Sequence, residues 1–137
     1  MRTLSPDDII QLVDTADVAE VESRMPMLDD DSAYASGWIL RGLKEGFFRA
    51  SRVMISGEHV ATVAWSLACD PERVLNVNAI CSFAPGIIDN EIEASLLMLA
   101  HGQGCKIIEY HTRRKGLLRA SMKYGYKLHS IVCRKYI

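Results

Sequence analysis

The sequence predicts an α/β fold, a mixed and mostly antiparallel central sheet with helices on both faces. Three observations predict it. Residues 1–47 hold two stretches of helical spacing, and residues 48–83 alternate with the period of strands. Residues 84–137 then run helix, strand, helix, strand. At 137 residues the chain has the length of one domain, so a single core over 1–137 is expected.

The elements follow in order. Ser5 reads as an N-cap, with Pro6 in the first turn and Asp7 and Asp8 facing the positive end of the dipole. That helix is expected to run through Ile9, Ile10, Leu12 and Val13. Residues 14–28 are acidic and weakly periodic. Asp29-Asp30-Asp31-Ser32 caps a second helix, in which Ala35, Trp38, Ile39 and Leu43 recur at helical spacing and Gly46 marks the end. Arg49 to Ile55, then Ser56-Gly57-Glu58, then His59 to Ala68 reads as a hairpin with a glycine turn. Ala61, Val63, Trp65 and Leu67 alternate onto one face, and Asp70-Pro71-Glu72 turns the chain again. In the next strand Leu75, Val77, Ala79, Cys81 and Phe83 share a face, with Asn76 and Asn78 opposite.

Ala84-Pro85-Gly86 breaks that strand. Asp89 to His101 is a helix with Ile88, Ile92, Leu96 and Leu99 on its buried side, ended by Gly102-Gln103-Gly104. Cys105 to His111 is a short strand. Arg114 to Tyr124 is a helix with Leu117, Ala120, Ser121 and Tyr124 on one face; Gly125 caps it, and Tyr126 to Tyr136 is the last strand.

Composition narrows the classes. Hydrophobic residues at 49% and charged residues at 24% exclude collagen-like, low-complexity and disordered chains. No apolar run is long enough for a membrane span, and the start lacks a secretory pattern, so a cytosolic setting is expected. Cys69, Cys81, Cys105 and Cys133 form no Cys-x-x-Cys pair, and they read as small core residues with no metal implied. His59, His101, His111 and His129 are dispersed without metal or triad spacing. The formal charge of −1 conceals polarity: residues 1–47 carry −6, residues 48–104 carry −3 and residues 105–137 carry +8. Two ends that neutralise each other in the fold is the plainer reading; a basic surface for nucleic acid is the other.

The run Gly102-Gln103-Gly104-Cys105-Lys106-Ile107-Ile108-Glu109, followed by a basic helix ending in Lys123-Tyr124-Gly125-Tyr126, resembles the GNAT superfamily of N-acetyltransferases. Gly125-Tyr126 matches that superfamily's Gly-Phe or Gly-Tyr before the final hairpin. Thr112-Arg113-Arg114-Lys115-Gly116-Leu117-Leu118-Arg119-Ala120 is similar, more particularly, to a stretch of small GNAT-like proteins of tailed bacteriophages. The likeness covers roughly residues 47–137.

This resemblance implies an acyl-CoA donor whose diphosphate rests on a glycine-rich basic turn before a helix. The matching stretch is Phe83 to Glu93, which puts the implied cofactor contacts at Gly86, Ile87 and Ile88. That stretch has one glycine and no Arg or Lys, and Pro85 has no N–H to offer. Asp89, Glu91 and Glu93 oppose an anion there. The resemblance also implies a tyrosine acid where this chain has Ser121, an aliphatic hydroxyl and a far weaker acid; Tyr124, one turn on, is the substitute candidate. For the base, Glu109 is the strand-borne candidate, although pairing with an arginine of the basic helix is its plainer reading.

The expectation is therefore a GNAT-fold phage protein without acyl-transfer chemistry. It would be a virion-associated internal, ejection or structural component, found in the host cytoplasm or the virion. Its partners would be other virion proteins, with no cofactor, and homo-oligomerisation is left open. The alternative is an acetyl-CoA-dependent N-acetyltransferase with an atypical CoA loop, using Glu109, Tyr124 and Ser121. A second alternative is nucleic-acid contact through Arg113, Arg114, Lys115, Arg119 and Lys123.

Overall fold

The computed structural model describes residues 9–15, 18–24, 36–69, 71–82, 89–110, 121–129, 133 and 135–137. Its centre is the expected hairpin, β2 (Arg49–Ile55) and β3 (Glu58–Cys69), rich in the β-branched residues that suit a pleated surface. Ile55 pairs with Glu58 across a two-residue turn. Both turn residues have positive φ, 49° at Ser56 and 82° at Gly57, the twist that joins antiparallel strands without splaying them. A serine in that region is strained. Two bonds to the neighbouring strand hold it: its N–H donates to the Ile9 carbonyl at 2.7 Å, and its Oγ accepts from the Ile9 N–H at 3.2 Å.

That neighbouring strand corrects the first expectation. Residues 10–15, read in part as helix, form β1 (Ile10–Thr15), antiparallel to β2. Ile9, Ile10, Leu12 and Val13 fit both periods. The sheet decides, because Ile10 and Leu12 pack against its core while Val13 stays exposed. Part of the stretch read as weakly periodic is helix α1 (Val18–Arg24), and α2 (Ser36–Lys44) lies inside the second predicted helix. The caps assigned to Ser5 and to Asp29–Ser32 lie outside the described residues.

β4 (Arg73–Ser82) continues the antiparallel run, and helix α3 (Asp89–Gly102) crosses over to β5 (Ile107–Tyr110), which lies parallel to β4. The order β1-β2-β3-β4-β5 is the mixed, mostly antiparallel sheet that was expected. Its antiparallel part among the described residues has four strands, one more than the meander read from the sequence.

Two cores lie on the two faces. Under α3, Leu96, Leu99 and Ala100 meet Val53, Ile55, Val63, Trp65, Leu75 and Val77. On the other face Val21 of α1 and Ile39 of α2 meet Ala50, Ala64 and Ala79, small residues that let helices approach closely. Ala79 therefore does not share a face with Leu75 and Val77, as simple alternation requires. A β-bulge is the reason: Trp65 pairs with Val77 and Ala64 with Ala79, so Asn78 is an extra residue that inverts the rest of β4.

Polar bonds join the layers. Buried Trp65 donates Nε1–H to Ser51 Oγ at 3.0 Å, Ser51 donates to Asp14 at 2.8 Å, and Arg49 pairs with Asp14 at 2.7 Å. The Arg49 guanidinium also lies 4.7 Å from the Trp65 ring centre. Across the sheet Arg52 grips Glu20 of α1 with both Nε and Nη2. Trp65 is thus core, as expected; the Trp38 side chain lies outside the described residues. Cys105 is buried, but Cys69 and Cys133 are exposed, contrary to the core reading. Cys69 is the last residue of β3, beyond the buried stretch of that strand. Among the described residues no cluster of His, Cys, Asp and Glu could hold a metal, and no helix is long and apolar enough to cross a membrane.

Candidate functional site

The outer edge of β4 beyond its described pairing with β5 makes the candidate site. β4 and β5 pair from Val74/Ile107 to Val77/Tyr110, the last pair among the described residues. β4 runs on to Ser82 against β3, pairing Ala79 to Ser82 with Ala64 to Ala61. From Asn78 onward its outer edge carries no strand among the described residues. The bulge lies at this same place, and a bulge bends its strand and sharpens the twist. Bulge and edge thus coincide at Asn78 among the described residues.

One flank of this edge lies on the α3 side. Tyr110, at the last pair, packs against the main core and meets Tyr126 edge-on, ring centres 5.3 Å apart. The Tyr126 phenol donates to Glu93 Oε2 on α3 at 3.0 Å. Burial raises the Glu93 carboxyl above its ordinary range, which the bond from Tyr126 opposes. Burial, and then the Glu93 charge beside it, pushes the Tyr126 phenol well above its ordinary value. Sequence reading missed this pair, since residues 33 positions apart carry no local signal.

The other flank carries a polar row. Ser66 pairs with Asn76 and Asn76 with Glu109, so the three stand side by side across β3, β4 and β5. Ser66 is two residues from Ala64, which places the row on the face of α1 and α2. Asn78 Nδ2 donates to Ser66 Oγ at 3.1 Å.

The predicted site residues are only partly brought here. Glu109 is half-buried in the row. Ser121 is buried, and its carbonyl accepts the N–H groups of Tyr124 and Tyr126 in a turn closed by Gly125 at φ 87°. Tyr124 is half-buried and Lys123 exposed. Gly86, Ile87 and Ile88, and Arg113, Arg114, Lys115 and Arg119, lie outside the described residues. Of the final strand expected from Tyr126 to Tyr136, residues 126–129 join no strand among the described residues, the Tyr126 side chain being held by α3, while 130–132 and 134 lie outside them.

No family model and no curated relative matches this chain. Solved structures do. An assigned acetyl transferase from Pyrococcus furiosus superposes with a TM-score of 0.66 at 15% identity, covering 94% of this chain and 100% of its own. An assigned acetyltransferase from Clostridium acetobutylicum, solved with acetyl-CoA, gives 0.60 at 15% identity over 94% and 96%. The aminoglycoside acetyltransferase AAC(6')-Iy, in complex with a bisubstrate analogue, gives 0.60 at 12% identity over 94% and 99%. The chain has the α/β fold of the GNAT acetyltransferases.

The Clostridium acetobutylicum neighbour was solved with acetyl-CoA, which makes coenzyme A the group to test against the residues of this chain. Its pantetheine arm is extended and amide-bearing, a shape that pairs with a strand edge, and the outer edge of β4 from Asn78 carries no strand among the described residues. At the start of α3 the described side chains offer a diphosphate little. Glu91, in the first turn, is completely buried with neither carboxyl oxygen hydrogen-bonded, and Glu93 already holds Tyr126. Neither residue brings an N–H group or a positive charge.

Proposed function

We propose that this chain is an N-acyltransferase that takes its acyl group from a pantetheine thioester, acetyl-CoA being one such donor. The observation that carries the reading is the outer edge of β4 from Asn78, which carries no strand among the described residues beyond its last pair with β5 at Val77/Tyr110. When bound, the thioester supplies an activated acyl carbon. The chain's own part is to seat the arm along that edge, with the Tyr110 and Tyr126 rings shielding one flank. Glu109, on the opposite flank, is the residue to accept the proton that the attacking amine gives up. Of the hydroxyls near Gly125, Tyr124 is the better acid for a departing thiolate, and Ser121 is too weak to serve.

The carboxylates of α3 favour a second reading, a GNAT-fold interaction protein of phage type, virion-associated and without acyl transfer. Calorimetric titration separates the two. Acetyl-pantetheine and acetyl-CoA are expected to bind within about tenfold of each other, because Glu91 and Glu93 give the diphosphate little to hold. Absence of binding by both at millimolar concentration would overturn the acyltransferase and leave the second reading standing.

A further inference from the structure

We propose that the turn around Gly125 and the adjoining outer face of α3 form a docking surface for an anionic lipid membrane. The turn is tightly closed. Ser121 is buried at its base, and the Ser121 carbonyl accepts the N–H groups of Tyr124 and Tyr126 at 2.9 and 3.3 Å. Tyr126 is fastened to Glu93 of α3, and Leu97, one helical turn on, lies on the same side of that helix. The two arms of the turn carry Met122 and Leu128, 56% and 58% exposed, and Leu97 and Met98 of α3 are exposed at 44% each. Large apolar side chains left in water close to one another mark an interface.

Charge selects the occupant. Lys123 and Lys127 stand on the same two arms, both exposed, and neither side chain has an ion-pair or hydrogen-bond partner among the described residues. No Asp or Glu occurs from residue 110 to residue 137. The described acids of the N-terminal part are engaged elsewhere: Asp14, Glu20 and Glu45 pair with Arg49, Arg52 and Arg41. The neutralisation of one end by the other, expected from the sequence, is therefore not made at this turn. Lysines beside Leu and Met suit a leaflet of anionic lipid, whose surface potential draws the lysines while the apolar side chains enter the acyl boundary. A nucleic acid has no use for the apolar residues, and single-strand platforms need aromatic faces. The hot spots of a protein partner call for Trp, Tyr or Arg, where the exposed side chains here are Lys, Met and Leu.

Sedimentation of the whole chain with large vesicles tests this, with the thermal midpoint followed for every variant. Vesicles of phosphatidylcholine containing about one-third phosphatidylserine should carry the chain down, and vesicles of phosphatidylcholine alone should not. Lys123→Gln with Lys127→Gln should weaken binding about thirtyfold, near fivefold for each lysine removed. Lys123→Arg with Lys127→Arg should keep it. Met122→Ser with Leu128→Ser should weaken it about tenfold at a thermal midpoint close to wild type, because both side chains already stand largely in water. Equal binding of anionic vesicles by wild type and by either weakened variant overturns the proposal, as does equal binding of the two kinds of vesicle. Binding of a fluorescent oligonucleotide or of polyglutamate, with no sedimentation on anionic vesicles, overturns it in favour of a nucleic acid or an acidic protein.

Discussion

The phenol of Tyr126 donates to Glu93 Oε2 at 3.0 Å, fastening the segment after Gly125 to helix α3. Both groups hold their protons more tightly in the folded chain than in the unfolded one. For Glu93 the folded state therefore loses stability as pH rises from 4.5 through the raised value, and regains it on acidification. For Tyr126 the loss begins above pH 10, where an unfolded phenol ionises and the folded one does not. In an ultraviolet titration one of the five tyrosines should ionise later than the rest, and Tyr126→Phe should remove that late step. It should also flatten the alkaline decline in unfolding free energy. A single transition near pH 10 for every tyrosine would show the pair to be absent in solution.

Trp65 and Ser51 make the most deeply buried polar bond between side chains of β2 and β3 described for this chain. Ser51→Ala strands the indole N–H in the core, which is expected to cost about 1–3 kcal/mol in urea unfolding. Adding Trp65→Phe removes the stranded donor. The double variant should then be less destabilised than the sum of the two single variants. Additive losses would mean that the serine contributes packing alone.

The hairpin of β2 and β3, helix α3 and the strand after it were legible in the sequence because each has one dominant period. β1 was not. Ile9, Ile10, Leu12 and Val13 satisfy helix and strand spacing alike, and only pairing with Val53 and Ile55 chooses between them. Of the site, Glu109 and the asparagines were visible as residue types at strand positions. Their assembly was not, because it follows from register across three strands and from an insertion that leaves no local mark. The Glu93–Tyr126 bond was hidden for the same reason.

Gly42 of α2 lies against Phe48, and a Cβ added there would run into the Phe48 ring. Gly42→Ala improves intrinsic helix propensity by up to about 1 kcal/mol. The clash opposes this by about 1–3 kcal/mol, because a ring edge packed on a helix cannot simply withdraw. The net expectation is a lower melting temperature. Phe48→Leu in the Gly42→Ala background should recover part of the loss, and a Gly42→Ala chain more stable than wild type would show that the ring yields freely.

Asn78 is the extra residue at the point where β4 changes faces. Deleting it joins Val77 directly to Ala79, and ordinary alternation then leaves Val77 toward α3 and Ala79 toward α1 and α2, as they stand now. The pairs Trp65/Val77 and Ala64/Ala79 become consecutive rungs of a regular ladder. The deletion is therefore expected to keep the fold. It removes the bond from Asn78 to Ser66, so the expected cost in urea unfolding is about 0.5–1.5 kcal/mol. Asn78→Gly keeps the bulge and loses the same bond, and should cost a similar amount. Amide exchange of residues 79–82 should stay close to wild type in both variants. A deletion variant destabilised well beyond Asn78→Gly would show that the bulge itself supports the packing of β4.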